Sequence, residues 1–270
     1  MNDQLAGIAY GLPAATYHSD PAVSKSGLDR LAKSPAHYRW WLENREEPTK
    51  ALILGTAIHT AVLEPDELRT RYAFMLEGLD RRTKEGKAIY AELESGGRTV
   101  LSADDEKLVT GVMESVQLHP TASELLRGGE GMSEVSCFTE LEGLNVKCRP
   151  DWLRRDGIVV DLKTTEDASP RGFARSVANY RYQVQAAYYL DCLAATGLSP
   201  HTFVFIAVEK SDPHAVGIYE LDAEALELGR ELYRRDLALL KHCLATDEWP
   251  GYSEDVVSLN VPAWAYAQAA

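Results

Sequence analysis

Residues 149–163, RPDWLRRDGIVVDLK, place two carboxylates and a lysine within two apolar stretches that the turn signal Asp156-Gly157 separates. Such an arrangement is typical of two antiparallel strands joined by a tight turn. Asp151 opens the first stretch, and Asp161 and Lys163 end the second. Because unpaired charge in a buried strand is costly, these three side chains need partners, and those partners decide the fold and the chemistry.

Pairing of the two stretches predicts that Asp151 and Asp161 lie side by side at one edge of a sheet. Lys163 is two residues beyond Asp161, so it shares the same face of the strand. Two neighbouring carboxylates repel each other unless a cation lies between them, and Mg²⁺ prefers oxygen ligands. The stretch therefore predicts a divalent-metal site with a lysine beside it, which is suited to phosphodiester hydrolysis. A simple surface ion pair of Asp161 with Lys163 is the alternative.

The composition limits the kinds of protein this chain can be. With 270 residues and 45% hydrophobic residues it can bury a core, and its net charge of -13 leaves only a local patch to meet a polyanion. The four cysteines are far apart and form no CxxC pair, which indicates neither a zinc site nor a disulfide framework and fits a reducing cytoplasm. The sequence shows neither a signal peptide nor a membrane-spanning stretch, so we expect a cytoplasmic protein.

We expect a single α/β domain over residues 1–270, since no repeat, low-complexity tract or linker divides the chain. Residues 1–130 are predicted to be mostly helical, residues 131–246 to form an α/β core, and residues 247–270 to be an irregular tail.

The core begins with three stretches of strand-like period, 134–141, 144–155 and 158–163, which are separated by the turn signals Glu142-Gly143 and Asp156-Gly157. These stretches predict one antiparallel meander.

Several motifs occur in an order that resembles a known nuclease superfamily. Pro150-Asp151, followed after nine residues by Asp161-Leu162-Lys163, is similar to the PD-(D/E)xK signature. The segment GTAIH, residues 55–59, followed by Glu64, resembles the GxxxH element of the RecB-like branch, and QAAYY, residues 185–189, resembles its QxxxY helix. An ordered set of motifs is more specific than any one of them.

The similarity is greater to RecE-type exodeoxyribonucleases of phages and prophages, the exonuclease VIII-like nuclease domain. It rests on DRRTKEGK at residues 80–87, HP at 119–120 and YRYQVQ at 180–185, and it covers roughly residues 20 to 265. The resemblance implies an α+β core like that of restriction endonucleases, with a central mixed sheet flanked by helices and a mostly helical N-terminal part that carries His59.

The resemblance also implies roles for individual residues. Asp151 and Asp161 would bind Mg²⁺ together with the backbone carbonyl of Leu162, and Lys163 would be the catalytic lysine. His59 would be a further metal ligand, and because an imidazole is softer than the ligands Mg²⁺ seeks, Mn²⁺ is expected to substitute in vitro. On its own, His59 is more typical of a helix-surface or core histidine than of a metal ligand.

Two further positions of the site are open to alternatives. Glu134 precedes the first core strand, where related nucleases often have an acid that assists the metals through water; a solvated glutamate at a strand end is the alternative. Gln185 and Tyr189 share a helix face and are predicted to orient the scissile phosphate or the lysine, although Tyr189 is equally suited to fill the core.

The strongest basic cluster of this acidic chain is predicted to grip DNA, because the phosphates of a duplex end need cations. Its members are Arg81, Arg82, Lys84 and Lys87. A solvated loop with helix-surface charge is the alternative.

The resemblance implies an exonuclease that degrades one strand of linear double-stranded DNA in the 5′-to-3′ direction and leaves 3′ overhangs. It further implies a RecT-type single-strand annealing protein as partner in phage recombination, and a homo-oligomeric ring, commonly a tetramer. A ring with an acidic outside and a basic lumen would reconcile the net charge of -13 with DNA.

Two other classes of protein stay open. One is a nuclease of the Cas4 or AddB kind that acts on single strands or as an endonuclease, although the cysteines lack the grouping of its iron–sulfur cluster. The other is a DNA-end-binding module without catalysis, which the joint presence of His59, Asp151, Asp161 and Lys163 disfavours.

Overall fold

The structure, a computed structural model, describes residues 6–44, 47–127 and 130–262. Its strands are β1 (Gly7–Ala9), β2 (Tyr72–Phe74), β3 (Thr99–Leu101), β4 (Gly131–Ser133), β5 (Ser136–Leu141), β6 (Leu144–Cys148), β7 (Trp152–Arg154), β8 (Ile158–Thr165), β9 (Thr202–Glu209) and β10 (Val216–Glu220).

The helices of the first half are α1 (Ala14–Ser19), α2 (Lys25–Lys33), α3 (Pro35–Glu43), α4 (Lys50–Leu63), α5 (Leu68–Arg71), α6 (Lys84–Ser95), α7 (Ala103–Leu118) and α8 (Pro120–Arg127). Those of the second half are α9 (Pro170–Asn179), α10 (Tyr182–Ala195) and α11 (Ala223–Thr246). None of the helices in the described part of the chain combines the length and the hydropathy that a bilayer span needs.

The central sheet has five strands in the order β10-β9-β8-β7-β4. β8 and β9 run parallel, and the other neighbours are antiparallel. A parallel pair needs a crossover connection, and α9 and α10 supply it. The predicted α/β class with a mixed central sheet and flanking helices is therefore confirmed.

Both faces of this sheet are buried, which explains the nearly continuous apolar run of β8. Val160 and Leu162 pack on the side of α4 and α7, whereas Val159 packs on the side of α10 together with Phe203 and Phe205 of β9. Residues of odd number in β8 therefore face α10, and this places Asp161 and Lys163 on that side of the sheet.

The prediction of a single meander is wrong, because the strands from β5 to β8 belong to two sheets. The hairpin β5–β6 pairs with β1, whereas β7 and β8 belong to the central sheet. The chain changes sheets at Arg149-Pro150, where proline has no N–H to continue a ladder. The side chain of Arg149 lies on the first sheet, where its guanidinium donates to Ser136 Oγ and to the carbonyl of Leu12.

Two helices present side chains to the start of β7 and the middle of β8. α4 begins at its N-cap Thr49 and ends at Leu63, shortly before Pro65, and it carries His59. α10 follows α9 after a sharp bend at Arg181, whose φ of 55° lies in the left-handed region.

The predicted irregular tail has neither helix nor strand over residues 247–262, and residues 263–270 lie outside the described part of the chain. Trp249 stacks on Tyr38 with ring centroids 6.0 Å apart, so this aromatic residue fixes the start of the tail against α3.

Candidate active site

Three acidic residues lie at one level of three adjacent strands. The register of β4 and β7 places Glu134 beside Asp151, and the N–H of Glu134 donates a 3.0 Å hydrogen bond to the carbonyl of Asp151. The register of β7 and β8, continued by one residue, places Asp151 beside Asp161. The predicted juxtaposition of Asp151 and Asp161 thus follows from strand pairing, and Glu134 extends the row.

His59 reaches this row from α4. Its Nδ1 lies 3.3 Å from Oδ2 of Asp151. One ligand atom each from His59, Glu134 and Asp151 lie within 4.8 Å of one another. The structure therefore brings together an imidazole and two carboxylates that come from distant parts of the sequence.

Asp161 is 1% exposed and is held by two partners. Gln185 Nε2 donates a 2.5 Å hydrogen bond to Oδ2 of Asp161, and Lys163 forms an ion pair with Oδ1. The ion pair considered as the alternative is thus present, but it is buried beside the acidic row. Lys163 Nζ also lies 4.8 Å from the centroid of the Tyr182 ring, an ordinary distance for a cation–π contact.

The backbone of Leu162 in β8 contacts the carboxylate of Asp151. Its N–H donates a 2.7 Å hydrogen bond to Oδ2 of Asp151. In an extended strand the N–H and C=O of one residue point to the same side, so the carbonyl of Leu162 faces the edge where Asp151 lies. This orientation fits the role that the resemblance implies for it.

Burial and mutual repulsion raise the pKa of two of these acids. Burial and then the charge of Asp151 raise the pKa of Glu134 to about 7. Burial also raises the pKa of Asp161 to about 6, with Asp151 adding to the rise and Lys163 opposing it. Burial is the larger cause of both shifts, and the neighbouring Asp151 carboxylate adds to it.

The remaining groups form a mutually stabilising set. Burial would lower the pKa of His59, but the Asp151 carboxylate outweighs it and the pKa is raised. Burial would likewise lower the pKa of Lys163, but Asp161 and Asp151 hold it above its ordinary value. Asp151 in turn keeps its pKa below the ordinary range because His59 and Lys163 outweigh its burial.

The site fits a divalent cation. Two converging carboxylates and an imidazole form a ligand set that Mg²⁺ and Mn²⁺ accept. The cation would be held by His59, Glu134 and Asp151, while Asp161 accepts from Gln185 through Oδ2 and forms an ion pair with Lys163 through Oδ1. The expected carboxylate ligands were Asp151 and Asp161. In the structure the carboxylate that converges with Asp151 and His59 is that of Glu134.

Arg149 is a residue of the site that sequence reasoning missed. Its side chain is 8% exposed and lies 3.8 Å from Oε2 of Glu134. The guanidinium also lies 4.3 Å from the centroid of the Tyr17 ring. The signal available in the sequence was an arginine between the strand stretch that ends at Cys148 and the Pro150-Asp151 motif, because an arginine that becomes buried there needs an acidic partner.

Three of the other predicted residues contact aromatic rings or a neighbouring carboxylate. Tyr189 packs edge-on against Phe203 with ring centroids 6.2 Å apart, which matches the core alternative. The basic cluster Arg81, Arg82, Lys84 and Lys87 is exposed on α6 and the loop before it. In this cluster Arg81 lies over the ring of Tyr90 at 3.6 Å and Arg82 pairs with Asp80 at 2.8 Å.

The fold and the site define a PD-(D/E)xK-like domain, as the motifs predict. The chain belongs to the family described as the PDDEXK-like domain of unknown function (DUF3799), whose sequence profile matches residues 24–260. The RecE-type branch within that superfamily stays a prediction.

A solved structure shares this fold. A protein from Eubacterium rectale, provisionally described as an exonuclease, superposes with a TM-score of 0.66 over 96% of this chain and 98% of that chain, at 15% identity. At this identity the likeness shows the fold alone. A phage-related exonuclease from Haemophilus somnus 129PT has a TM-score of 0.37 over 84% of this chain and 96% of that chain, at 12% identity, which is too low to bear on the fold. The comparison with curated proteins found no match.

Proposed function

We propose that this protein is a divalent-metal-dependent deoxyribonuclease. The observation that carries the proposal is the convergence of His59, Glu134 and Asp151 beside the buried pair of Asp161 and Lys163. A cation in this place supplies polarisation of a phosphoryl oxygen and activation of water when bound. Mg²⁺ is the proposed ion, with Mn²⁺ as a substitute.

Asp161 and Gln185 hold the ammonium of Lys163 in place as a hydrogen-bond donor. The ammonium of Lys163 has three N–H donors, of which one faces Asp161, and the others remain for the attacking water or a phosphoryl oxygen. Gln185 fixes Asp161, and Asp161 fixes Lys163. Because these contacts exist before substrate arrives, the donor needs little reorganisation when negative charge builds up on the phosphoryl oxygens.

We further propose the finer activity that the motifs suggest: 5′-to-3′ degradation of one strand of linear duplex DNA, for recombination by annealing. The support is the resemblance of residues 80–87, 119–120 and 180–185 to RecE-type enzymes. A RecT-type partner, a ring of identical subunits and a bacterial cytoplasm belong to the same proposal.

Digestion of end-labelled linear duplex tests the proposal. The wild-type protein should release nucleotides with Mg²⁺, stop with a chelator, and leave closed circular duplex intact, while Lys163→Met should release none. Binding of ends without release would favour the inactive end-binding module. Cleavage of the circle would favour an endonuclease. Release from a 3′-labelled end before a 5′-labelled end would overturn the proposed polarity.

A further inference from the structure

An exposed tyrosine lies at the end of an aromatic stack that reaches the candidate catalytic lysine. Tyr180 is 62% exposed, and its ring stacks on that of Tyr182 with centroids 5.6 Å apart and an interplanar angle of 29°. Tyr182 stacks in turn on the buried Phe205 at 5.8 Å. The ring of Tyr182 is also the one over which Lys163 Nζ lies. The exposed ring is therefore separated from Lys163 by a single aromatic side chain.

The backbone that carries Tyr180 is held in place by charged side chains. Lys25, whose side chain is 12% exposed, donates a 2.8 Å hydrogen bond to the carbonyl of Tyr180 and pairs with Asp29 at 2.7 Å. The next residue, Arg181, adopts the left-handed conformation and binds Asp29 and the buried Asp236. A large apolar ring exposed on a backbone fixed in this way is preorganised for a planar ligand.

Cationic side chains lie beside this stack, and each is oriented by a carboxylate: Lys25 pairs with Asp29, and Lys163 pairs with Asp161. α9 ends at Asn179, directly before Tyr180, and it exposes Arg171 and Arg175, which are four residues apart and therefore on one helix face. Lys25 and Lys163 both lie over the ring of Tyr182, at 5.7 Å and 4.8 Å. Cations along a path with an aromatic side chain are the features with which proteins bind single-stranded nucleic acid.

We propose that the ring of Tyr180 stacks on an unpaired nucleobase of the DNA strand whose phosphate lies at Lys163, so that the strand enters the site as a single strand. This inference rests on the proposed function and deepens it, since it assigns the state of the substrate at the point of cleavage. A stacked base is sequence-tolerant, because every base has a π-face. The subsite therefore takes any of the four bases.

The variant Tyr180→Ala tests the subsite, with Tyr180→Phe as the conservative variant. The backbone carbonyl that Lys25 binds is kept in both, and the exposed ring contributes little to folding. Tyr180→Ala should weaken binding of a single-stranded oligonucleotide by roughly 5- to 150-fold, whereas Tyr180→Phe should bind like wild type because it keeps the ring. Tyr252→Ala is the matched control, since Tyr252 is 72% exposed on the tail beside His37.

The readout is the fluorescence of 2-aminopurine placed at successive positions of the oligonucleotide, in a chelator so that no cleavage occurs. Stacking on Tyr180 quenches the probe at one position, and the quench should disappear in Tyr180→Ala and persist in Tyr180→Phe and Tyr252→Ala.

In the digestion assay Tyr180→Ala should raise KM and leave kcat nearly unchanged. Equal binding by all variants, or Tyr180→Phe as impaired as Tyr180→Ala, overturns the inference. A wild-type protein that releases no nucleotide overturns the proposed function, and the fluorescence still decides whether the base stacks.

Discussion

Oδ2 of Asp151 accepts a 2.7 Å hydrogen bond from the N–H of Leu162 and lies 3.3 Å from His59 Nδ1. One oxygen thus joins the start of β7, the middle of β8 and the helix α4. Asp151, which precedes β7, is fixed from two directions, and this rigidity would let its carboxylate bind the proposed cation without rearrangement.

Asp151→Asn should keep the fold and lose the activity. The amide oxygen can still accept from Leu162, but the ligand charge is gone, so nucleotide release should fall by about two to three orders of magnitude, as when one preorganised electrostatic group is removed. Rates on linear duplex measure the effect. Asp156→Asn is the matched control, because Asp156 lies in the β7–β8 turn and pairs with the arginine Arg154. Equal loss in both variants would contradict the assignment.

Gln185→Leu should impair both stability and activity, whereas Gln183→Leu should not. Gln185 is the amide partner of the buried Asp161, and removing it costs about 1–3 kcal/mol in the free energy of unfolding. The side-chain oxygen of Gln183 is buried without a hydrogen-bond partner among the residues described, so leucine there should be neutral or stabilising. Urea unfolding and digestion rates compare the two. A more harmful change at Gln183 would contradict the contacts.

Two helical glycines should respond oppositely to alanine. A Cβ at Gly229 of α11 would lie 2.1 Å from the carbonyl oxygen of Gln183, so Gly229→Ala should destabilise the fold by about 1–3 kcal/mol through overpacking. A Cβ at Gly55 of α4 meets no atom within 4 Å, so Gly55→Ala should stabilise by up to about 1 kcal/mol through helix propensity. The urea midpoints of the two variants measure these changes. A higher midpoint for Gly229→Ala than for Gly55→Ala would contradict the close packing of α11 against α10.

The basic cluster on α6 should contribute unequally to DNA binding. Arg82 is paired with Asp80, whereas Lys84 and Lys87 are exposed with no ion pair found among the described residues. Loss of either lysine should lower the slope of log K against log salt by about 1, and loss of Arg82 by less. Duplex binding between low and moderate salt measures the slopes. If every variant had the same slope as the wild-type protein, the residues that bind the DNA phosphates would lie elsewhere in the molecule.

The sequence predicted the central part of the site because the information is local. Asp151, Asp161 and Lys163 are related by one hairpin, and a two-residue period fixes which side chains share a face. Glu134 joins them only through the pairing of β4 with β7, which no local pattern specifies. The position of His59 depends on a helix far away in the sequence, so it came from the resemblance to a nuclease motif and not from the pattern itself.

The division of the strands into two sheets was not predictable from period either, because strand-like period identifies a strand and does not say which sheet it joins. The proline at Pro150 was the physical signal of the break. Similarly, the apolar character of Tyr180 and Tyr182 suggests core, and only the bend at Arg181 exposes one ring while burying much of the other.

Anomalous scattering from crystals grown with Mn²⁺ tests the metal site most directly. We expect one strong peak within about 2.3 Å of ligand atoms of His59, Glu134 and Asp151, and its loss in Asp151→Asn crystals of the same form. A map with no peak at these three side chains, or with the main peak at another place in the molecule, would contradict the assignment on which the proposed hydrolysis depends.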